Sequence, residues 1–490
     1  MLTKSDFIKY LQCYKYLWLY KNRKDLLPKE IIPEMEKEFD EGYQVEDYAY
    51  FLFPGGVDAM DPDFKTAIAR TKKLVNAKTP AVFQPTFCVG QLFCRSDIIA
   101  YDKITDQWDL YEVKSSTDVK DIHIFDLAFQ KVCLEDAGLK VGKISVIHVN
   151  NSYVRHGEID PKKFLKINDV TEDVDRVANT TKSQIESAWK VLSQSAEPTA
   201  RILKQCNDPY ECPFSEYCWK HVPEHSIYDV WFNEEKLNKL LDMGVLSLED
   251  VPEDMFTAAR AHRHYTAVKT NKVYIEKDSI KNELSQLKYP LYFLDYETFS
   301  PAVPLFDGYR PYQRIVFQYS LHVQDKPGAK LKHYEFLWNQ MSDPTEALSE
   351  TLFKQIGPAG TTIAWNMSFE QGCNSEMGER NHKYKKFYED INDRMVDLIV
   401  SFRQGYYVDR RFQNSASLKK VLPVLVPKLS YKELGIQEGG TASDSWRVMI
   451  DPNTDKKIIK KIYDDLLKYC ELDTLAMVEI LRELEKIVKT

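Results

Sequence analysis

The stretch Phe293-Leu294-Asp295-Tyr296-Glu297-Thr298 decides how the second half of this chain is read. It has the character of a strand, so the Asp295 and Glu297 side chains leave the same face and can share a cation. Far downstream, Tyr469-Cys470-Glu471-Leu472-Asp473 has helical spacing, which puts the Tyr469 phenol and the Asp473 carboxylate on one helix face. Between the two, Ile363-Ala-Trp-Asn366-Met-Ser-Phe369-Glu370 follows a strand-like run with a fourth carboxylate. Hard oxygen ligands gathered in this way suit Mg²⁺ or Mn²⁺. Asp295, Glu297, Glu370 and Asp473 are therefore candidate metal ligands, and Tyr469 is placed to orient a water molecule.

Working outward, strand-like runs at Leu291 to Asp295, Ile315 to Val323 and Thr361 to Trp365 are followed by helical sequence up to Lys489. Strands first, with helices between and after, predict an α/β domain over 286–490. Upstream, 226–285 reads as a charged helical connector, with Leu237, Leu240, Leu241 and Met243-Gly-Val spaced like a small helical hairpin. The first region, 1–225, opens on an aromatic-rich helix (Phe7 to Tyr20). It continues with strands at Val82 to Phe93, Asp97 to Tyr101, Trp108 to Lys114 and Lys143 to Val149, and a helix over Ile124 to Ala137. This too is an α/β pattern.

At 490 residues, 43% hydrophobic and 29% charged, the chain has an ordinary globular composition. No apolar run is long enough to span a bilayer and no signal-type segment opens the sequence, so a cytoplasmic protein without a membrane partner is expected. Nine cysteines, an odd number, argue for a reducing compartment, and any cysteine cluster there is read first as a metal site. A net charge of −8 is not the footprint of a protein that coats nucleic acid. Local basic stretches, such as Arg410 to Lys420, leave composition neutral on that question.

With these residues in order, the second half resembles the tyrosine-containing branch of the DEDD exonucleases, of ribonuclease-H-like fold. Asp-x-Glu-Thr at Asp295, Glu297 and Thr298 matches the first motif, Asn366-x-x-Phe369-Glu370 the second, and Tyr469-x-x-x-Asp473 the third. The second motif departs from the family by carrying Glu370 in place of Asp, and Asp397 is the substitute candidate. The resemblance implies phosphodiester hydrolysis by two divalent cations: one lowers the pKa of the attacking water and the other stabilises the leaving oxygen. Arg310, Arg410, Arg411, Lys419 and Lys420 are candidates to grip a phosphate backbone. Tyr312 and Phe369 are candidates to stack on frayed bases.

A second constellation lies in the first region. Asp97 ends one strand, and Glu112 and Lys114 alternate on the next, so all three can face one point. Asp97, Glu112 and the Val113 carbonyl could hold Mg²⁺, the Lys114 ammonium could offset phosphate charge, and the following helix brings Gln130. The arrangement resembles the PD-(D/E)XK nuclease core, a restriction-endonuclease-like fold, in its RecB-like branch. It departs from that branch in two places: Leu134 stands where the helix motif has Tyr, and Glu46 where a histidine is usual.

Cys206, Cys212 and Cys218 are spaced Cys-x5-Cys-x5-Cys, and Cys13 is the candidate fourth thiolate. Soft sulfur ligands suit an iron–sulfur cluster or zinc. One cysteine near the start and three after the nuclease core is the pattern of RecB-like iron–sulfur nucleases, including the CRISPR-adaptation exonucleases, and implies a [4Fe-4S] cluster. Cys88, Cys94, Cys133, Cys373 and Cys470 read as packing residues. The ten histidines show no zinc-like spacing, and His123 and His148 read as core histidines with satisfied hydrogen bonds.

The whole chain resembles a bacterial family that joins a RecB-like iron–sulfur nuclease domain to a DEDD exonuclease domain. That likeness extends into Asp307-Gly-Tyr-Arg-Pro-Tyr-Gln and Ser417-Leu-Lys-Lys-Val-Leu-Pro. It implies a metal-dependent nuclease acting on nucleic acid, with DNA ends or single strands as the expected partner. The alternatives are a nucleic-acid-binding or assembly module with decayed nuclease sites, and an RNA-processing exonuclease.

Overall fold

The structure is a computed structural model that describes residues 1–28 and 33–489, side chains at 33–40 excepted. It is a mixed α/β chain of two compact units, Met1–His221 with Pro301–Gln313, and Val222–Ser300 with Arg314–Thr490. No helix among the described residues is long and apolar enough to cross a membrane.

In the first unit, a six-stranded sheet runs in chain order: β1 (Val57–Asp58), β2 (Ala81–Phe83), β3 (Ile98–Asp102), β4 (Gln107–Lys114), β5 (Val141–Val149) and β6 (Leu165–Asp169). Strands β2, β3 and β4 are antiparallel neighbours, while β4 and β5 are parallel. A parallel pair needs a crossover, and the helix Asp121–Asp136 supplies it. Burial alternates along β4, with Trp108, Leu110 and Glu112 on the buried face. Leu110 packs with Phe129, Leu134 and Val146, and the Phe7 and Phe129 rings stack at 5.2 Å.

Two predicted elements of this unit are broken, each for a local reason. The run from Val82 to Phe93 is not one strand. After β2, Thr86–Val89 and Leu92–Arg95 form a hairpin turning at Gly90 (φ +57°), a conformation glycine adopts without strain. The helix expected over Phe7 to Tyr20 is two helices, α1 (Lys4–Gln12) and α2 (Tyr14–Asn22), separated by Cys13 in extended conformation. Leu2–Thr3 pairs with Leu92–Phe93, and a capping box joins Thr3 to Asp6 at 3.0 and 3.1 Å. Lys4 is thereby held at the first turn of α1.

The second unit is built on a five-stranded sheet of β7 (Leu291–Phe299), β8 (Ile315–Gln324), β9 (Lys332–Leu337), β10 (Thr361–Ala364) and β11 (Met395–Asp397), in spatial order β9-β8-β7-β10-β11. The first three strands are antiparallel and β10 and β11 join parallel to β7. Strands β9 and β11 were not legible in the sequence; β9 is exposed or half-buried and β11 has only three residues. The helix Lys456–Lys489 buries Leu466, Tyr469, Cys470, Asp473, Ala476, Met477, Ile480 and Leu484, a stripe of helical period. The Gln318 amide pins it, donating to the Leu466 carbonyl at 2.8 Å. On the helix Gly439–Met449, the fully buried Trp446 stacks on Phe317 with centroids 4.7 Å apart.

The expected division at 225 and 285 differs from the observed one. Residues 226–285 are knitted into the second unit: Tyr274–Ile275 pairs with Tyr407–Val408, and the Arg263 guanidinium donates to the Gly405 carbonyl at 3.1 Å. Conversely, Pro301–Gln313 belongs to the first unit. There Arg155 donates to the Pro304 and Leu305 carbonyls at 2.9 Å, and the Tyr312 hydroxyl to the Ser115 carbonyl at 2.5 Å.

Candidate functional site

Strand β7 brings Asp295 and Glu297 to one face, and the long helix brings Asp473, so that one oxygen from each lies within 4.8 Å of the other two. A Mg²⁺ ion with bonds of about 2.1 Å spans about 4.2 Å between opposite oxygens, so a trio within 4.8 Å is close enough to share such an ion. Glu370, 2% exposed near the start of the helix Ser368–Arg380, has a buried Oε2 without a hydrogen-bond partner. An orphaned carboxylate oxygen of this kind calls for a cation or a proton.

Electrostatics tells the same story. Burial pushes Asp295 and Glu297 well above the ordinary carboxylate range, and the charges of Asp473 and Glu370 add to it. Burial pushes Asp473 up to about 7, against the hydrogen bond from Tyr431 and the Lys419 charge. Glu370 is pushed up to about 8 by burial, with the Asp397 charge adding to it and Arg314 opposing. The donor set fits hard divalent cations, which would stabilise the ionised forms.

Further groups complete the centre. The Tyr431 hydroxyl donates to Asp473 Oδ1 at 2.5 Å. Lys419 lies 5.7 and 5.9 Å from the ring centres of Tyr469 and Tyr431. Burial and the neighbouring acids hold both phenols protonated. Cys470, read from sequence as a packing residue, is buried but also places its sulfur 3.6 Å from Asp295 Oδ2. The helix Gly439–Met449 starts beside Glu297, where a β-carbon on Gly439 would lie 3.9 Å from Oε2. Its N-terminal dipole favours negative charge.

Asp397, the substitute for Glu370, has its oxygens engaged elsewhere. They accept from the Asn366 backbone N–H at 2.9 Å and from Arg403 at 2.8 Å. Of the two, Glu370 is the one whose charge acts on Asp295 and Glu297. Among the other candidate contacts, Arg310 and Tyr312 belong to the first unit. Arg411 is paired with Asp409 at 2.5 Å, and Lys420 donates to Gln413 at 2.7 Å. Phe369 is half-buried with the Arg314 guanidinium 5.4 Å from its ring centre.

The first unit gathers a second polar cluster. Lys4 donates to both Glu112 oxygens at 2.9 and 3.2 Å and stands 3.8 Å from Asp97. Lys114 donates to Glu112 at 2.7 Å and to Asp126 at 3.1 Å; Gln130 donates to the same two residues at 2.6 and 3.0 Å. Asp97 accepts from the Val113 backbone N–H at 2.7 Å. Glu46 accepts from Tyr50 at 2.6 Å and from Gln84, and burial raises it. Burial opposes ionisation of Glu112, but Lys114 and Lys4 override it and hold the carboxyl well below its usual range. Asp97 is pushed up to about 8 by burial and by the Glu112 charge. Sequence reading missed Lys4 and Asp126. Asp126 stands one helical turn before Gln130 and was findable, whereas nothing local marks Lys4.

Cys13, at the break between α1 and α2, lines a cavity of about 30 Å³ with Cys206, Cys212 and Cys218. Burial pushes Cys212 up to about 12 and raises Cys206 and Cys218, the last against the opposing charge of Lys15. Among the described residues, three groups of ligand atoms lie within 4.8 Å of one another: Asp295–Glu297–Asp473, His225–Asp229–His264 and His322–His333–Glu471. The thiols are not among them. Of the cysteines read as packing residues, Cys94, Cys133 and Cys373 are buried and Cys88 is exposed. His123 accepts from the Lys120 backbone N–H at 3.2 Å, whereas His148 leaves a buried Nε2 without a hydrogen-bond partner.

Residues 292–417 match a family described as "Domain of unknown function (DUF2779)". Over 230 residues the chain is 24% identical to "Uncharacterized protein MG366" of Mycoplasma genitalium, covering 43% of this chain and 34% of that protein. It is likewise 24% identical to the homologous protein of Mycoplasma pneumoniae over 220 residues, 41% of this chain and 33% of that protein. The matched part is thus about a third of the length of these curated relatives. The family match takes in Asp295, Glu297 and Glu370 and ends before Tyr469 and Asp473.

Proposed function

We propose that the second unit is a divalent-metal-dependent DNA exonuclease of DEDD type on a ribonuclease-H-like fold. One observation carries this reading: four carboxylates from β7, the helix Ser368–Arg380 and the long helix come together, Asp295 half-buried and the other three buried, and Lys419 and Arg314 offset only part of their charge. The mixed sheet, with β8 antiparallel and β10 parallel to β7, supports it, as do the three motifs in order. Bound Mg²⁺ or Mn²⁺ would supply an activated water and stabilise the leaving oxygen. Asp295, Glu297, Glu370 and Asp473 would hold the ions. Tyr431 fixes the Asp473 carboxylate, the protonated Tyr469 phenol orients the water, and Lys419 meets the phosphate.

In the first unit we read a RecB-like PD-(D/E)XK core in which Asp97, Glu112, the Val113 carbonyl and Glu46 would be the metal ligands only once the Lys4 ammonium leaves Glu112, with Lys114 and Gln130 as supporting groups. For the cysteine cavity we favour a [4Fe-4S] cluster over zinc. Tetrahedral zinc with bonds of about 2.3 Å needs sulfurs about 3.8 Å apart. Cluster thiolates, each on its own iron, stand further apart, which suits thiols absent from the groups within 4.8 Å. Free thiols and a cluster suit a reducing compartment, the cytoplasm.

The test is digestion of end-labelled single-stranded DNA with Mn²⁺. Wild-type protein is expected to shorten it from an end. Asp295→Asn is expected to lose more than about a hundredfold in rate, since even outer-shell partners of a metal cost up to about that much. Undiminished cutting by the variant ends the assignment. Faster digestion of a matched RNA strand would favour RNA processing. The contacts of Lys4 with Glu112 and Asp97 favour a second reading for the first unit alone: a nuclease core that binds nucleic acid without cutting it.

A further inference from the structure

The second unit contains another group of ligand atoms, remote in sequence from the acidic motifs and absent from every motif considered above. His225 precedes the short turn Ile227–Asp229, and His264 lies on the helix Ala259–Thr270. His225 Nδ1 and His264 Nε2 are 3.8 and 3.7 Å from the same oxygen, Asp229 Oδ2. One atom from each of the three residues lies within 4.8 Å of the other two.

These separations are too long for hydrogen bonds. His225 Nδ1 and both ring nitrogens of His264 are buried without a hydrogen-bond partner, and His264 is 0% exposed. Native cores rarely leave an imidazole so completely unsatisfied. Asp229, by contrast, is held in place: the Ser226 backbone N–H donates to its Oδ2 at 3.2 Å and the Asn414 amide to its carbonyl at 2.8 Å. Asn414 also carries a buried, unpartnered Oδ1. Ile227, Val230, Leu248, Tyr265 and Val268 pack around this corner as a separate small core.

We propose that His225, Asp229 and His264 bind one zinc ion, which pins the helix Ala259–Thr270 to the turn Ile227–Asp229. Two imidazoles and a carboxylate suit zinc, whose bonds of about 2.0–2.1 Å put neighbouring ligand atoms about 3.3 Å apart. The observed 3.7 and 3.8 Å therefore need to close only slightly. The ion would engage two of the orphaned nitrogens, His225 Nδ1 and His264 Nε2, together with Asp229 Oδ2, and the Ser226 bond to Asp229 supplies the outer support that metal ligands use. With three protein ligands the fourth position of the zinc would be taken by water, and the surrounding apolar core places the ion where it would hold two elements together. The inference is independent of the nuclease reading.

The test uses the full-length protein, stripped with chelator, reloaded with zinc chloride, freed of excess by gel filtration and assayed for zinc. Wild type and an Asp295→Asn control are expected to hold one equivalent more per chain than His225→Ala. The same added zinc is expected to raise the melting temperature of wild type by several degrees more than that of His225→Ala. Zinc at the cysteine cavity cancels in the comparison. His264→Leu is a second variant; if its circular dichroism shows a lost fold, the half-buried His225 decides alone. Loading with Co²⁺ gives a third readout, weak visible bands that disappear in His225→Ala. Equal zinc content in wild type and His225→Ala overturns the proposal.

Discussion

The two units solve the same problem in opposite ways. Each buries carboxylates from a strand and a helix around one point. In the first unit the chain brings its own cations: Glu112 receives Lys4 and Lys114, and both ammonium groups are held well above their usual pKa once these partners outweigh burial. In the second, Asp295, Glu297, Glu370 and Asp473 are all raised, and no lysine or arginine donates to any of them among the described contacts. A buried charge must be paired or neutralised. The first cluster is closed by internal ion pairs, whereas the second has to take up either protons or cations from solution. Similar residue types therefore give one cluster closed by its own ammonium groups and one whose carboxylates have no lysine or arginine donor among the described contacts.

The sharpest way to break this comparison is to delete one carboxylate from each site and weigh the metal-free protein by calorimetry. Glu112→Gln leaves two buried ammonium groups without their shared partner and is expected to destabilise the first unit by about 3 kcal/mol. Asp295→Asn removes a like charge from a repulsive cluster and is expected to stabilise the second unit at pH 8, by about 1 kcal/mol, the size of one pKa unit. Adding Mn²⁺ should reverse the order for the second unit, stabilising wild type but not the variant. If both substitutions destabilise equally, the contrast between the sites is wrong.

A smaller effect probes whether Lys4 stands where a cation would. Lys4→Met keeps the aliphatic length and removes the ammonium. It is expected to add one Mn²⁺-binding event, seen by titration calorimetry, that Glu112→Gln abolishes. Wild type should show binding at the second unit alone. Identical isotherms for wild type and Lys4→Met would mean that the ammonium does not compete for that position.

How much of this could be read from the chain depended on how far each feature reaches. The alternation through Asp295 and Glu297 and the turn-spaced Tyr469 and Asp473 are local periods, and both appear in the elements predicted. Glu112 and Lys114 were legible for the same reason. Lys4 was not, because it reaches Glu112 only through the pairing of Leu2–Thr3 with Leu92–Phe93, a contact no local pattern encodes. Tyr431 has no periodic companion and meets Asp473 only in the folded unit. His225 and His264 lack the short spacing that marks a metal motif. The connector reading failed because two-residue strands such as Tyr274–Ile275 are too short to show a period. The exchange of Pro301–Gln313 into the first unit depends on carbonyls offered to Arg155, which composition cannot reveal.

Tyr431 gives the finest test, because it changes one hydrogen bond and no charge. In the metal-free protein the raised acids bind protons more tightly folded than unfolded. Stability should therefore fall as pH rises from the ordinary carboxylate range, about 4, through the folded values of about 7 for Asp473 and about 8 for Glu370. Mn²⁺ binds the ionised form, so it should flatten that slope and bind more tightly as pH rises over the same window. The Tyr431 hydrogen bond lowers the Asp473 pKa, and its loss in Tyr431→Phe should move Asp473 further up. A hydrogen bond to a charged group is worth about 1.5 kcal/mol, or about one pH unit. The pH midpoint of Mn²⁺ binding is thus expected to rise by about one unit, with a loss of about tenfold in digestion rate near pH 7 that shrinks by pH 9. A uniform loss at every pH would mean that Tyr431 acts on the substrate or the fold and not through the Asp473 carboxylate.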